Sequence, residues 1–145
     1  MNRSILLAAS LPLAAACGAD LEPEPALNGN QDPDGVVFLA QNEPPVAYME
    51  ARYQGLVTRD AQGCLRVQDQ DNAVVIWPYG SRLEARGGEL VVIAADGREV
   101  GRIGGHFEMG GGFVPITAAS LSNADLALAR SRCPSDEYWV VGEMH

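Results

Sequence analysis

Two short pairs offer the most direct route to chemistry: His106-x-Glu108 and Glu143-x-His145, which hold the only two histidines of the chain. On a β-strand, residues two apart point to the same side, so each pair would present an imidazole and a carboxylate together. Two such pairs facing one another offer the nitrogen and oxygen ligands that a divalent metal such as zinc takes. Against this, two-residue spacing is easily met by chance, and a terminal residue such as His145 tends to fray. No metal or other cofactor is therefore expected, and His106, Glu108, Glu143 and His145 stand as the alternative.

Other groupings are open to a similar double reading. Glu108 with Asp96 or Glu99 offers paired carboxylates, which do acid–base work only where their surroundings separate their pKa values. Most acidic residues here flank turns, where solvation and turn chemistry explain them. Cys64 served by His106 would be a nucleophilic thiol, provided a base lies near and the thiol pKa is lowered. The stretch Gly101–Gly112 (GRIGGHFEMGGG) could cradle an anion. It lacks the Lys-Ser or Lys-Thr of a P-loop and the strand-to-helix setting of a dinucleotide fingerprint, so a structural role in bulges or bends is expected. The aromatic residues Tyr48, Tyr53, Trp77, Tyr79, Phe107, Phe113, Tyr138 and Trp139 are mostly core by their apolar neighbours. Tyr79 and Phe107 lie beside turn or glycine residues and are expected to face solvent. With His106 and Glu108 they form the candidate ligand-binding set.

The elements that must carry these residues read as strands. Alternation over 47–58 and 64–68, apolar runs at 73–77 and 90–94, and shorter stretches at 82–86, 99–103 and 138–141 all have strand character. The run AVVIW at 73–77 is apolar at every position, which implies cover on both faces. Asp96-Gly97 between apolar runs is a hairpin signal in which both central residues are expected at positive φ. One helix is expected, opened by Ser122, Asn123 and Asp125 and stopped at Cys133-Pro134. These elements predict a mainly β fold: a small antiparallel barrel or sandwich of the oligonucleotide/oligosaccharide-binding (OB) type, with one short C-terminal helix.

The N-terminal stretch has a different character. A single early Arg3, the apolar run from Ile5 to Ala16, and the close Leu13-Ala14-Ala15-Ala16-Cys17 have the order of an export signal. This segment resembles the lipobox signal of a bacterial lipoprotein. The resemblance implies that residues 1–16 are a signal peptide that is removed, and that Cys17 becomes the first mature residue with diacylglycerol on its sulfur. It also implies that Gly18, rather than Asp, directs the product to the outer membrane where there are two membranes. An ordinary secretory signal cut near Ala16, with Cys17 a free thiol, is the other reading. Twelve apolar residues fall short of the roughly 20 needed to span a bilayer. With Cys17 committed to lipid, Cys64 and Cys133 become an even pair in an oxidising compartment, where a disulfide between them is expected.

Residues 17–45 carry Asp20, Glu22, Glu24, Asp32, Asp34 and Glu43 without a basic residue, and are interrupted by five prolines. Such a stretch repels itself and buries too little apolar surface to offset its ordering entropy, so it reads as a tether. The run VVFLA at 36–40 is the exception, expected to form a short strand or to dock on the domain. Residues 46–145 form the β domain. The order WPYG, a Gly-Gly hairpin, an Asp-Gly hairpin and a Gly-rich close across 55–112 looks like small bacterial lipoprotein domains, a resemblance that implies architecture and no activity.

Charge narrows the partners. The formal net charge is −9, no Lys occurs, and the arginines are scattered. Nucleic acid demands a clustered basic footprint and is excluded as a partner. The expected function is a lipid-anchored cell-envelope protein whose β module binds an envelope protein, peptide or glycan, or serves structurally, without catalysis. In a two-membrane cell it would face the periplasm from the outer membrane. The alternative is a small metal-dependent or hydrolytic enzyme centred on His106.

Overall fold

A computed structural model describes residues 35–68 and 71–145. The signal, Cys17 and the tether up to residue 34 lie outside the described residues. The elements in chain order are β1 (Leu39–Ala40), β2 (Ala51–Arg59), β3 (Leu65–Val67), β4 (Val74–Trp77), β5 (Arg82–Arg86), β6 (Glu89–Ile93), β7 (Glu99–Arg102), β8 (His106–Val114), α1 (Asn123–Arg132) and β9 (Tyr138–Met144).

Five strands close a barrel in the order β4-β3-β2-β8-β9 and back to β4, while β5-β6-β7 form a separate sheet. The fold is mainly β, a small OB-like barrel with one short helix before the last strand, as the sequence pattern implies. The barrel departs from a wholly antiparallel one at a single seam, where β4 and β9 run parallel. An odd number of strands around a closed ring makes one parallel pair unavoidable.

β4 explains why its sequence is apolar throughout. Val75 and Trp77 point into the barrel, while Val74 and Ile76 join an outer cluster with Ala129, Cys133, Tyr138 and Val140. The helix α1 caps that outer cluster. Ser122 accepts a hydrogen bond from the Asp125 amide at 3.1 Å, and Arg130 and Arg132 occupy the last turn, complementing the helix dipole. The Cys64–Cys133 disulfide ties the end of α1 to the start of β3 across 69 residues of sequence. In the chain-entropy view, closing such a loop stabilises the fold by roughly 4 kcal/mol.

The fold begins earlier than charge and proline content suggest. Residues 36–41, grouped with the tether on composition, lie inside the domain, with Val36 and Leu39 completely buried. Register shows how. Arg66 pairs with Val74, so continued pairing would set Cys64 against Ile76. Instead Cys64 bridges to Val37 and Ile76 pairs with Leu39. The strip is a wedge inserted where β3 and β4 part. Val36 and Phe38 enter the barrel core, and Val37 and Leu39 enter the outer cluster; Phe38 stacks on Trp77 with ring centroids 5.7 Å apart. Arg132 locks the entry, donating to the carbonyls of Gly35 (3.0 Å) and Gln62 (2.8 Å).

The Gly-rich stretch contains β8, a nine-residue strand that pairs with β2 on one side and β9 on the other. Two of its three glycines give room to neighbours. A Cβ at Gly111 would strike the Val140 carbonyl and the Trp139 ring, and one at Gly112 would meet the Met49 sulfur. The Asp96-Gly97 hairpin differs from the expected turn. Only Gly97 has positive φ, and the bonds Gly97 N–H to Ala94 O and Ala94 N–H to Arg98 O close a three-residue loop, the other common hairpin connection.

On the second sheet Leu83, Leu90 and Val92 pack toward the barrel core. The opposite face carries linked ion pairs running Arg82–Glu84–Arg86–Glu99–Arg102–Glu89. The Arg86 and Arg82 hydrogen bonds hold the Glu84 carboxyl below its ordinary range. Register puts the buried Val91 and Ile93 on this face, so the aliphatic stems of the charged side chains shield them from water.

Asp60 organises the turn that leads to Cys64. Its carboxylate accepts from the amides of Gln62 and Cys64 (both 2.9 Å) and pairs with Arg66 at 2.6 Å. Partial burial alone would raise its pKa; the Arg66 and amide hydrogen bonds outweigh it and hold the group below its ordinary value of 3.8. A carboxyl depressed in the folded state adds stability above the unfolded pKa and loses it as pH falls through the folded one. Asp60→Asn should therefore be less stable than wild type in urea unfolding at about pH 7, with the deficit shrinking as pH falls below the ordinary carboxyl range; a deficit that does not change with pH would contradict the assignment. Phe38→Ala should cost about 3–5 kcal/mol by the same measurement. Val46→Ala, at a fully exposed position, should stay within about 0.5 kcal/mol of wild type.

Candidate functional site

Strand periodicity decides which candidate residues can act together. In β8, His106 and Glu108 are exposed and Phe107 is buried at 2% relative exposure. Phe107 packs against Trp77 with centroids 5.5 Å apart and fills the space left by Gly101. The expectation that Phe107 faces solvent is overturned, because its neighbours on both sides point outward and the pleat sends it in. Tyr79 is half exposed in the turn after β4, off the face that carries His106 and Glu108. The proposed set Tyr79, His106, Phe107 and Glu108 is thus divided among three places.

The outer face of β2, β8 and β9 gathers the remaining polar candidates. Across β2 and β8, Arg52 lies opposite Gly110, Gln54 opposite Glu108, and Leu56 opposite His106. Gln54 donates to the Glu108 carboxylate at 2.8 Å. β9 continues the rows with Glu143 and then His145, whose amide donates to the Glu108 carbonyl at 3.2 Å. Sharing a face is not convergence. His145 and Glu143 stand 3.9 Å apart, and among the described residues no three His, Cys, Asp or Glu side chains come together in a group able to hold a metal.

Two of the catalytic groupings are not assembled. Cys64 is bonded to Cys133 and completely buried, so it has no thiol for His106 to activate. Glu99 is engaged by Arg102 at 3.2 Å and Arg86 at 3.5 Å, and Asp96 accepts from the Arg98 amide at 2.9 Å. Both sit at the second sheet, whereas Glu108 is bound to Gln54 on the barrel. The carboxylates do not pair.

One concavity lies on the β2–β8–β9 face. It has a volume of about 400 Å³ and is lined by Tyr48, Met49, Glu50, Arg52, Gly110, Glu143 and His145, within the range of small-molecule sites. The sequence pattern singles out Glu143, His145 and Tyr48 individually but not Met49, Glu50, Arg52 or Gly110. Cross-strand register unites them, and nothing local in the sequence discloses it. A second depression, lined by Asp71, Ala73, Ser135, Asp136 and Glu137, has acidic groups alone for its charge.

In barrels of this type the second and third strands form the usual ligand face. Here those strands are β3 and β4, whose outer side is covered by the 36–39 strip and α1. The open barrel surface is therefore the β2–β8–β9 side. Compared with protein-family models, curated proteins and solved structures, the chain matches none. Zinc titrated into the protein should give no saturable heat at micromolar metal; a stoichiometric site lost in His106→Ala would reinstate the metal reading.

Proposed function

We propose that this protein is a lipid-anchored component of the bacterial cell envelope whose β domain binds an envelope partner without catalysis. Cys17 carries the lipid, residues 18–34 form the acidic tether, and the folded domain starts at the 36–39 strip. In a two-membrane cell the domain faces the periplasm from the outer membrane.

The observation that carries this reading is the buried Cys64–Cys133 disulfide, which suits an oxidising compartment outside the cytoplasm. The run ending in Ala16-Cys17 supplies the matching export address. Each buried methylene of an acyl chain contributes about 0.8 kcal/mol, so two or three chains on one cysteine hold a protein at the membrane firmly. At about 3.1 Å per residue for an extended Pro-rich chain, the stretch 18–34 reaches at most roughly 50 Å. The open β2–β8–β9 face, with exposed Tyr48, Leu56, His106 and Glu108, supports a binding role.

Intact-mass analysis of protein made in its native cell should find a chain starting at Cys17 with the added mass of diacylglycerol and an acyl group. Cys17→Ser should move the protein from the membrane to the soluble fraction. An unmodified N-terminus with unchanged fractionation would overturn the proposal.

A further inference from the structure

The three consecutive glycines of β8 are not equivalent. Gly111 is required by the Val140 carbonyl and Trp139, and Gly112 by the Met49 side chain. Gly110 has no such reason. A Cβ there would meet nothing closer than 3.9 Å, an ordinary contact, and its φ lies outside the left-handed region. It sits at the register shift between β8 and β9, yet without positive φ that bulge accepts any residue. A glycine in mid-strand costs about 0.5–1 kcal/mol relative to alanine. The fold bears this cost at Gly110 with no packing return.

What the missing side chain leaves is the floor of the 400 Å³ groove. Its walls have a definite chemistry. The Tyr48 ring, 57% exposed, lies beside Gly142, and a Cβ on Gly142 would be 3.3 Å from it. Opposite Gly110 stands Arg52, which makes no ion pair among the described residues. Glu143 borders the floor from β9, and His145 follows it. The groove thus combines a flat backbone floor, one exposed aromatic face, a free guanidinium donor and two carboxylate acceptors, Glu50 and Glu143. Two carboxylates against one guanidinium disfavour an anionic ligand, and Arg52 beside the floor disfavours a cationic one. A pyranose ring fits this set: its C–H face stacks on an aromatic ring and its hydroxyls both donate and accept.

We infer that the groove over Gly110 binds a neutral saccharide ring, stacked on Tyr48 and hydrogen-bonded by Arg52 and Glu143. This rests on the binding-module reading above and specifies its ligand class. The site lies on the face opposite in role to the covered β3–β4 surface, so it is a separate location from the usual ligand face of such barrels.

The test uses the full lipidated protein in detergent micelles, with an N-acetylglucosamine tetramer as probe in calorimetry and heteronuclear NMR. Saturable binding is expected, with shifts centred on the amides of residues 48–52, 110 and 143. Gly110→Val should weaken it at least about tenfold while the melting temperature stays at or above that of wild type; Gly110→Ala should fall between. Tyr48→Ala should lose a comparable amount, and Arg130→Ala on α1 should bind as wild type does. Absence of saturable binding to wild type, or full binding by a folded Gly110→Val, would overturn the inference. Crosslinking in native membranes separates the two levels. If Gly110→Val abolishes capture of a protein partner while the tetramer does not bind, the saccharide assignment falls and the binding module stands. If the protein proves unlipidated and soluble, the anchor reading falls whatever the tetramer does.

Discussion

The strip Val36–Leu39 is wedged where β3 and β4 part, its side chains alternating between the barrel interior and the cluster beneath α1. Fully burying an apolar side chain contributes about 1.5–3 kcal/mol, and four in succession hold the strip in both directions at once. Its backbone is satisfied as well: the Val37 amide donates to Gly63 O at 2.8 Å and the Gln41 amide to Trp77 O at 2.9 Å. The Gln41 side chain reaches across to Val141 O at 3.0 Å. Without the strip, β4 would expose half an apolar strand and the β3–β4 split would present unpaired backbone groups, a template for aggregation.

The other elements are arranged around that wedge. α1 needs an apolar surface to sit on, and Val37 and Leu39 form part of it. The disulfide then fixes the end of α1 to the residue that bridges to Val37, and Arg132 bonds to the carbonyl of Gly35 at the point of entry. Covering the β3–β4 side leaves β2, β8 and β9 as the open wall, where the glycine floor, Tyr48 and Arg52 meet. The chain arriving at Gly35 is consequently joined to the core of the domain and not to a loose end of it.

Much of this is readable in the sequence. AVVIW is apolar throughout because it lies between two clusters; Ser122 and Cys133-Pro134 bound the helix as capping chemistry requires; and the two remaining cysteines pair. What is hidden is hidden for physical reasons. VVFLA obeys the same two-sided logic as AVVIW and signals a strand or docking segment, but the prolines and acids on both flanks place the start of the domain at residue 46 and not before this run. β8, as long as any strand in the fold, is masked by its three glycines, two of which make room for neighbours, and this also misdirected Phe107, whose inward direction follows once the strand is recognised. The groove depends on cross-strand register, so no local motif reveals it.

Native-state hydrogen exchange read residue by residue tests the central claim that the chain is keyed into the core before β2 begins. If the wedge is integral to the fold, the amides of Val37 and Gln41 exchange only through global unfolding, with protection matching that of the β4 amides. Exchange at Val37 and Gln41 as fast as at the exposed residues 46–50, while β4 stays protected, would show the strip to be detachable from the folded domain and would contradict this account.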